Sequence, residues 1–145
     1  MAAAIASALT QEDGIMARKF PQPATPEDIA ALQARLRGEI VEPASPSYDA
    51  TRIVWNGMID RRPGLIARCR NAADVAASVR FAQDHGLAIA IRSGGHNVAG
   101  YAVCDGGLMV DLSLMNGVRL LPELDRAIVE GGALWADVDA ATTLF

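Results

Sequence analysis

The chain has 145 residues, half of them apolar, which is enough for about one domain with a substantial core. Its net charge of −4 argues against a nucleic-acid-binding surface, which needs clustered positive charge. The two cysteines and two histidines lack metal-ligating spacing, and no apolar run approaches the roughly 20 residues of a membrane span. These properties predict a cytoplasmic protein without a metal site, a membrane segment or a nucleic-acid partner.

The N-terminal third predicts one good helix. Residues 1–25 are expected to be loose, ending in the proline-rich "FPQPATP". The stretch "TPEDIAALQARLRGEI" then predicts a helix with Thr25 as N-cap and Asp28 closing a capping box, and its apolar residues fall on one face. A second, short helix is predicted in the middle of "EPASPSYDATRIVWNGMIDRRPG", carrying Ile53, Trp55 and Met58. We expect Trp55 to be a packing residue.

A strand–helix–strand unit follows Pro63. "GLIARC" predicts a strand, "NAADVAASVRFAQDHG" a helix capped by Asn71 and ended by Gly86, and "LAIAIR" a second strand. The second strand is too apolar to alternate, so we expect burial on both of its faces. Such a βαβ unit predicts parallel pairing, and "GGLMVDLS" predicts a further strand.

The C-terminal part predicts a hairpin and a last helix. "NGVRLLPELDRAIVEGG" reads as two strands around "PELD", and "ALWADVDAATTLF" begins a helix without a stop signal. The fold class is therefore α/β (α+β), with a βαβ unit in a small parallel sheet followed by further strands and a helix. We expect a chain that ends in mid-helix to leave a sheet face bare and to aggregate or pair with a missing C-terminal portion.

The loop "RSGGHN" after the second strand carries the chemical signal. Consecutive glycines can turn several N–H groups toward one anion, and the hydroxyl of Ser93 and the amide of Asn97 add donors. His96 adds an imidazole, which is readily available as a neutral nucleophile near neutral pH. The spacing matches neither GxGxxG nor a Walker loop, so from spacing alone a plain structural turn stays open.

The segment "IRSGGHNVAGYAVCDGGLMVDLS" resembles the covalent-flavin motif of the FAD-linked oxidases that include the berberine bridge enzyme and its bacterial relatives. These proteins have a PCMH-type, or vanillyl-alcohol-oxidase-type, FAD-binding domain. "YDATRIVWNGMIDRRPGLIARCRNAADVAASVRFAQDHGL" and "VEGGALWADVDAAT" resemble two other parts of that domain. The resemblance covers residues 48–145. It implies an N-terminal extension with a helix over 1–61 and a FAD-binding domain over 62–145, truncated on its C-terminal side.

The resemblance also implies a cofactor and its ligands. His96 would bond covalently to the 8α-methyl carbon of FAD. The pyrophosphate would lie against Arg92, Ser93, Gly94, Gly95 and Asn97, and the edge of the pocket would be lined by Gly100, Tyr101 and Val103. The parent reaction would oxidise an alcohol, amine or sugar-like small molecule, with hydride passing to the flavin and then to dioxygen or another acceptor. No residue of this chain is identified as the catalytic base.

Two other functions stay open at this point. A truncated chain could be a FAD- or nucleotide-binding module without activity. A hydrolase using His96 with Asp105 or Asp111 is a weaker alternative, because the sequence has no nucleophile elbow. Cys69 and Cys104 are expected to be small buried residues.

Overall fold

A computed structural model describes residues 23–143, so the expectation for residues 1–22 lies outside the described part. The helices and strands follow in the order α1 Pro26–Arg35, β1 Glu39–Val41, α2 Tyr48–Arg52, β2 Leu65–Arg68, α3 Ala72–Asp84, β3 Ile89–Arg92, β4 Leu108–Asp111, β5 Val118–Leu121, β6 Arg126–Val129 and α4 Trp135–Thr142. Within this range no helix combines the length and the apolar character needed to cross a membrane.

The main sheet has the strand order β1-β2-β4-β3. Strands β2 and β3 both run parallel to β4, with Leu65 and Ile89 each opposite Leu108, and β1 joins antiparallel to β2. The predicted strand–helix–strand unit is confirmed, with β4 inserted between its two strands. Segments on both sides of the predicted boundary at residue 61 share this sheet, and the boundary itself stays a prediction.

Each face of the sheet carries its own apolar core. Alternate residues of a strand point to opposite faces, so Ala67 and Val110 pack under α1 and α3 while Ile66 and Met109 pack on the other side. The second core is covered by α2 and the loops, through Tyr48 and other residues. A largely parallel sheet normally needs this cover on both faces.

Strand β3 departs from the expectation of burial on both faces, which is wrong. Ile89 is 39% exposed and Ile91 is 55% exposed, whereas Ala90 on the opposite face is buried. The reason is position: β3 is the edge strand of the sheet, and α3 packs over β4. The face of β3 that carries Ile89 and Ile91 is therefore not covered by α3.

The helix caps agree with the sequence. Thr25 Oγ1 accepts a hydrogen bond from the N–H of Asp28 at 3.2 Å, and the Asp28 carboxylate accepts from the N–H of Thr25 at 2.9 Å. At α3, Asn71 Oδ1 accepts from the N–H of Asp74 at 3.0 Å. Both bonds satisfy N–H groups that the first helical turn leaves without partners, so the caps define where these helices begin.

Asp74 also joins three chain segments. Its carboxylate is 1% exposed and accepts hydrogen bonds from the N–H groups of Arg37 and Gly38, each at 3.0 Å, and of Arg70, at 2.9 Å. Burial alone would raise the pKa of this carboxyl, but the three N–H groups hold the pKa below its ordinary value. The connection after α1 is thereby fixed against the start of α3.

The segment after α2 corrects two expectations. Helix α2 ends at Arg52, so it does not carry Ile53, Trp55 or Met58, which are 63%, 66% and 91% exposed. The packing role goes to Tyr48 instead, whose hydroxyl donates to the Pro63 carbonyl at 2.6 Å. The expectation that Trp55 is a packing residue is therefore wrong, and its indole is available at the surface.

The predicted hairpin and last helix are both present. Strands β5 and β6 pair antiparallel, and a short 3₁₀ turn between them ends at Asp125, whose φ is +50°.

The segment between β3 and β4 is held by a side chain from before β2. Arg61 Nη1 donates to the carbonyls of Gly100 and Val103, at 3.1 and 3.2 Å. These bonds hold the segment between β3 and β4 against the segment that precedes β2.

We expect Asp74→Asn to destabilise the fold by about 2 kcal/mol at pH 7, because an amide accepts the three backbone hydrogen bonds less well than a carboxylate. The lowered pKa sets the pH dependence. The stabilisation is complete above the unfolded-state pKa of about 3.9 and is lost as the pH falls below it through the folded-state value. Urea denaturation at pH 7 and at pH 3 measures both effects. Asp84→Asn, on the exposed end of α3, is the control.

Alanine substitutions at three glycines distinguish the energetic cost of backbone strain from that of steric clash. Gly100 has φ +77°, and a Cβ there would lie 2.8 Å from Ile59 Cγ2. Gly106 has φ +64° with open space around it, and Gly57 has neither constraint. By thermal denaturation we expect Ala to cost about 3 kcal/mol at position 100, about 1 at 106 and almost nothing at 57. Equal losses at 100 and 106 would contradict the close packing on Ile59.

Candidate functional site

An open cleft of about 750 Å³ separates the loop after β3 from the start of α4. The two walls are different in character. One is the polar, glycine-rich loop, and the other is largely apolar. The lining residues are Ile91, Ser93, Gly94, Gly95, His96, Asn97, Ala102, Val129, Ala133, Leu134, Trp135, Ala136 and Val138.

A buried ion pair anchors the beginning of the loop. Asp111 is fully buried at the end of β4, and its carboxylate contacts Arg92 through Nη2 at 2.7 Å and Nε at 3.1 Å. Arg92 Nη1 also donates to the carbonyls of Thr51 and Ile53. Burial would raise the pKa of Asp111, but the hydrogen bonds and charge of Arg92 hold it below its ordinary value. Arg92 lines a smaller neighbouring pocket, and its guanidinium is occupied by protein groups.

The glycine pair shapes the loop itself. Gly95 has φ +73° and is buried, and its carbonyl accepts from the N–H of Trp55 at 3.1 Å. A Cβ on Gly94 would lie 3.0 Å from His96 Cδ2 and 3.2 Å from Leu134 Cδ2, in the narrow part of the cleft. Within residues 23–143, the N–H groups of residues 94–97 donate no hydrogen bond. Free N–H groups on a glycine-rich turn are suited to an anion.

The polar side chains beside the glycines help to hold the loop. Ser93 Oγ donates to the carbonyl of Gly131, which lies just before α4. Asn97 Oδ1 accepts from the N–H of Tyr101 at 3.0 Å. Both residues line the cleft. The Ser93 bond connects the loop to the segment before α4, and the Asn97 bond holds the turn that continues the loop.

His96 is exposed on the loop and lies beside Trp55. The two ring centroids are 5.8 Å apart and the ring planes are tilted by 39°. Asn56 Nδ2 donates to the Val98 carbonyl at 2.9 Å, so the segment after α2 is bound along the outside of the loop. Sequence reasoning missed Trp55, although its place between a short helix and an Asn-Gly turn was a signal that the side chain could be exposed.

The three residues expected at the pocket edge lie outside the lining of the cleft. Val103 is 1% exposed and belongs to the second core, Gly100 is buried, and Tyr101 is 72% exposed. Their contacts with a cofactor stay predictions. The structure shows a supporting position for them, since Gly100 and Val103 receive the hydrogen bonds from Arg61.

The start of α4 is the part of the site that sequence reasoning did not find. Leu134, Trp135 and Ala136 face the loop across the cleft, and the N–H of Leu134 donates to the Asp137 carboxylate at 2.8 Å. The first turn of a helix carries partial positive charge, which favours an anionic ligand nearby. The strand–turn–helix pattern predicted the helix, but not the loop that it would face.

Within residues 23–143, the other candidate residues do not come together as a hydrolytic or metal site. Within the described residues Asp111 binds Arg92 and Arg68, and Asp105 accepts from the N–H of Arg62, so no hydrogen bond joins either carboxylate to His96. Cys69 is buried, and burial raises the pKa of its thiol to about 11, whereas Cys104 is partly exposed. No group of three or more metal-ligating side chains occurs in residues 23–143.

Known proteins match both the sequence and the fold. A FAD binding domain family matches residues 63–144. The (R)-6-hydroxynicotine oxidase of Paenarthrobacter nicotinovorans is 47% identical over 108 residues, which cover 74% of this chain and 24% of that protein. FAD-linked oxidoreductase pynB of Aspergillus niger is 30% identical over 120 residues, covering 80% of this chain and 22% of the relative.

Solved structures agree with this result. The crystal structure of 6-hydroxy-D-nicotine oxidase from Arthrobacter nicotinovorans superimposes with a TM-score of 0.73 and 44% identity, over 75% of this chain and 24% of that one. BBE-like 1 of Physcomitrella patens shares the fold, with a TM-score of 0.64 and 23% identity over 70% of this chain and 22% of that one. The chain thus spans about a quarter of the length of these relatives. It belongs to the FAD-linked oxidases that include the berberine bridge enzyme-like proteins, and residues 63–144 are part of their PCMH-type FAD binding domain.

Proposed function

We propose that the cleft binds FAD, with the pyrophosphate on the N–H groups of residues 94–97, and that His96 attaches covalently to the 8α carbon of the flavin. One observation carries this proposal: residues 94–97, whose N–H groups donate no hydrogen bond within residues 23–143, line the same cleft as the exposed His96 side chain. The cleft is large enough for part of a dinucleotide, and its apolar wall suits an aromatic ring system.

The residues of the loop fit an anionic group. Gly94 leaves space that a Cβ would occupy between the loop and Leu134, so a phosphate can approach the backbone closely. Ser93, Gly95 and Asn97 keep the loop in the conformation that exposes its N–H groups. Arg92 acts through the buried pair with Asp111, by fixing where the loop begins.

We further propose supporting roles for three residues beyond the loop. Gly100 and Val103 would hold this segment in place through the hydrogen bonds from Arg61, and the exposed ring of Tyr101 would contact the edge of the bound cofactor. Their contribution to binding is backbone or packing contact. None of the three residues supplies a charged group to the cofactor.

His96 would supply the nucleophile for attachment. Its ring lies at the surface of the cleft, and Trp55 limits the positions available to it. A neutral imidazole has a free nitrogen lone pair for bond formation. FAD, when bound, would supply the carbon for this bond and accept hydride from an organic substrate. As the bond forms, a C–H bond of the 8α-methyl would break and its proton would leave, and the two electrons left on the flavin would pass to dioxygen.

The proposed reaction is the oxidation of a small alcohol, amine or sugar-like molecule, with dioxygen as the acceptor. Similarity to a 6-hydroxynicotine oxidase at 47% identity favours an amine among these classes. The alternative is a FAD-binding module without turnover. In that case a polypeptide corresponding to the remaining part of a relative would be the partner that completes the site.

Histidine substitutions test the covalent bond. We expect the chain incubated with FAD to keep its yellow colour after acid precipitation and to gain the mass of one FAD. His96→Ala should lose this attachment completely because the nucleophilic nitrogen is gone, while His85→Ala, at the end of α3, should attach FAD normally. Mass spectrometry and in-gel flavin fluorescence measure the result. Flavin still attached to the His96→Ala protein would contradict the assignment.

Oxygen consumption separates the two functions. With (R)-6-hydroxynicotine as substrate, we expect the FAD-loaded chain to consume oxygen faster than free FAD at the same concentration, because substrate and flavin are held together. An oxygen electrode gives the rate. A chain that retains FAD and consumes no oxygen with this amine, or with an alcohol and a sugar offered in its place, would indicate the binding module.

A further inference from the structure

The segment directly after α2 is bound along the loop that carries His96. The N–H of Trp55 donates to the Gly95 carbonyl at 3.1 Å, and Asn56 Nδ2 donates to the Val98 carbonyl at 2.9 Å. These two hydrogen bonds lie one residue before and two residues after the histidine. Because both acceptors are loop carbonyls, two neighbouring residues of the segment hold the loop backbone on each side of the imidazole.

The segment after α2 is itself held in place. Arg92, anchored by its buried carboxylate partner, donates through Nη1 to the carbonyls of Thr51 and Ile53. Asn56 Oδ1 accepts from the N–H of Met58 at 3.1 Å, so both ends of this amide are bonded. Since Arg92 also directly precedes the loop, the segment and the loop share one anchor. That anchor fixes where the indole lies relative to the imidazole.

Two contacts restrict the imidazole of His96. The centroid of the Trp55 ring lies 5.8 Å away with a tilt of 39°, a distance and geometry at which aromatic rings attract each other. The loop backbone is also close, because a Cβ on Gly94 would lie 3.0 Å from His96 Cδ2 and 3.6 Å from Nε2. A ring without such contacts would exchange among several rotamers, and ordering it later would cost free energy.

We propose that Trp55 is a positioning residue for the attachment of FAD, because its indole holds the His96 imidazole in the orientation from which a ring nitrogen bonds to the flavin. Asn56 assists by holding the loop backbone. This inference rests on the proposed function and extends it to two residues outside the loop. Ordering the nucleophile beforehand removes part of the entropic cost of reaching the transition state. Trp55 supplies no electron pair and no proton to the bond.

The ring contact is tested in the chain without FAD. The sequence has two tryptophans and two histidines, so Trp135→Phe and His85→Gln assign the proton NMR signals of Trp55 and His96. We expect a nuclear Overhauser effect between the indole and the imidazole. Trp55→Ala should shift the imidazole signals, because the ring current of the indole is lost. Absence of both effects would overturn the proposal.

The rate of attachment is the second test. Time courses of in-gel flavin fluorescence at saturating FAD give the rate constant. We expect Trp55→Ala to slow attachment about fivefold, as loss of one aromatic pair implies, and Trp55→Phe to restore the rate to within about twofold. Asn56→Ala should also slow attachment about fivefold, because one hydrogen bond to the loop is lost. Met58→Ala, a change to a 91% exposed side chain of the same segment, should attach FAD at the unaltered rate.

Reversible binding separates positioning from direct contact with FAD. In a His96→Ala background no covalent bond forms, and Trp55→Ala should there change the dissociation constant of FAD by less than about twofold, since the imidazole through which it acts is absent. A large loss of reversible affinity would overturn the inference by making the indole a FAD contact.

The outcomes also distinguish this inference from the proposed function. Attachment at the unaltered rate in Trp55→Ala would overturn the positioning role and leave the proposed function intact. An unaltered chain that attaches no FAD would overturn the proposed function and this role with it.

Discussion

The buried pair of Arg92 and Asp111 is the interaction on which the rest of the site depends. Asp111 is fully buried, and a buried carboxylate is tolerated only when it is paired and hydrogen-bonded. Arg92 supplies two contacts and uses its remaining nitrogen on two carbonyls of the segment around Thr51. The ends of two parallel strands and the segment after α2 are therefore held together at one point. Loss of Arg92 would leave Arg68, at 3.3 Å, as the remaining ion-pair partner of the buried carboxylate within residues 23–143.

The position of the glycine-rich loop follows from this ion pair. Ser93 comes directly after Arg92, so the anchored guanidinium sets where the glycine pair begins. The carbonyl of Gly95 is held by Trp55 and the hydroxyl of Ser93 holds Gly131, so the loop is fixed to a segment on each side. The cleft lies beyond the carboxyl end of β3, where open α/β sheets place their ligands. In the part of the chain that the structure describes, the N–H groups of residues 94–97 donate no hydrogen bond, because other groups carry the structural hydrogen bonds of the loop.

The open surfaces of the structure have a common origin in strand position. The edge strand β3 exposes Ile89 and Ile91 because α3 covers the middle of the sheet, and Ile91 becomes part of the cleft wall. Strand β6 is open for a similar reason, since it has a neighbour on one side only within the described residues. Both strands present apolar side chains beside unpaired backbone groups.

Sequence alone determined the local features: the capping box of α1, the Asn71 cap of α3, the strand–helix–strand order, the hairpin turn and the loop with His96. Each depends on residues within one or two turns of each other, so spacing and residue type suffice to predict it. The partners of the loop were decided by the tertiary structure, because Trp55, Gly131 and Leu134 are far from it in sequence. For the same reason the burial of β3 and the exposure of Trp55 were predicted wrongly. Which face a side chain presents depends on the element that packs against it, and composition does not say which element that is.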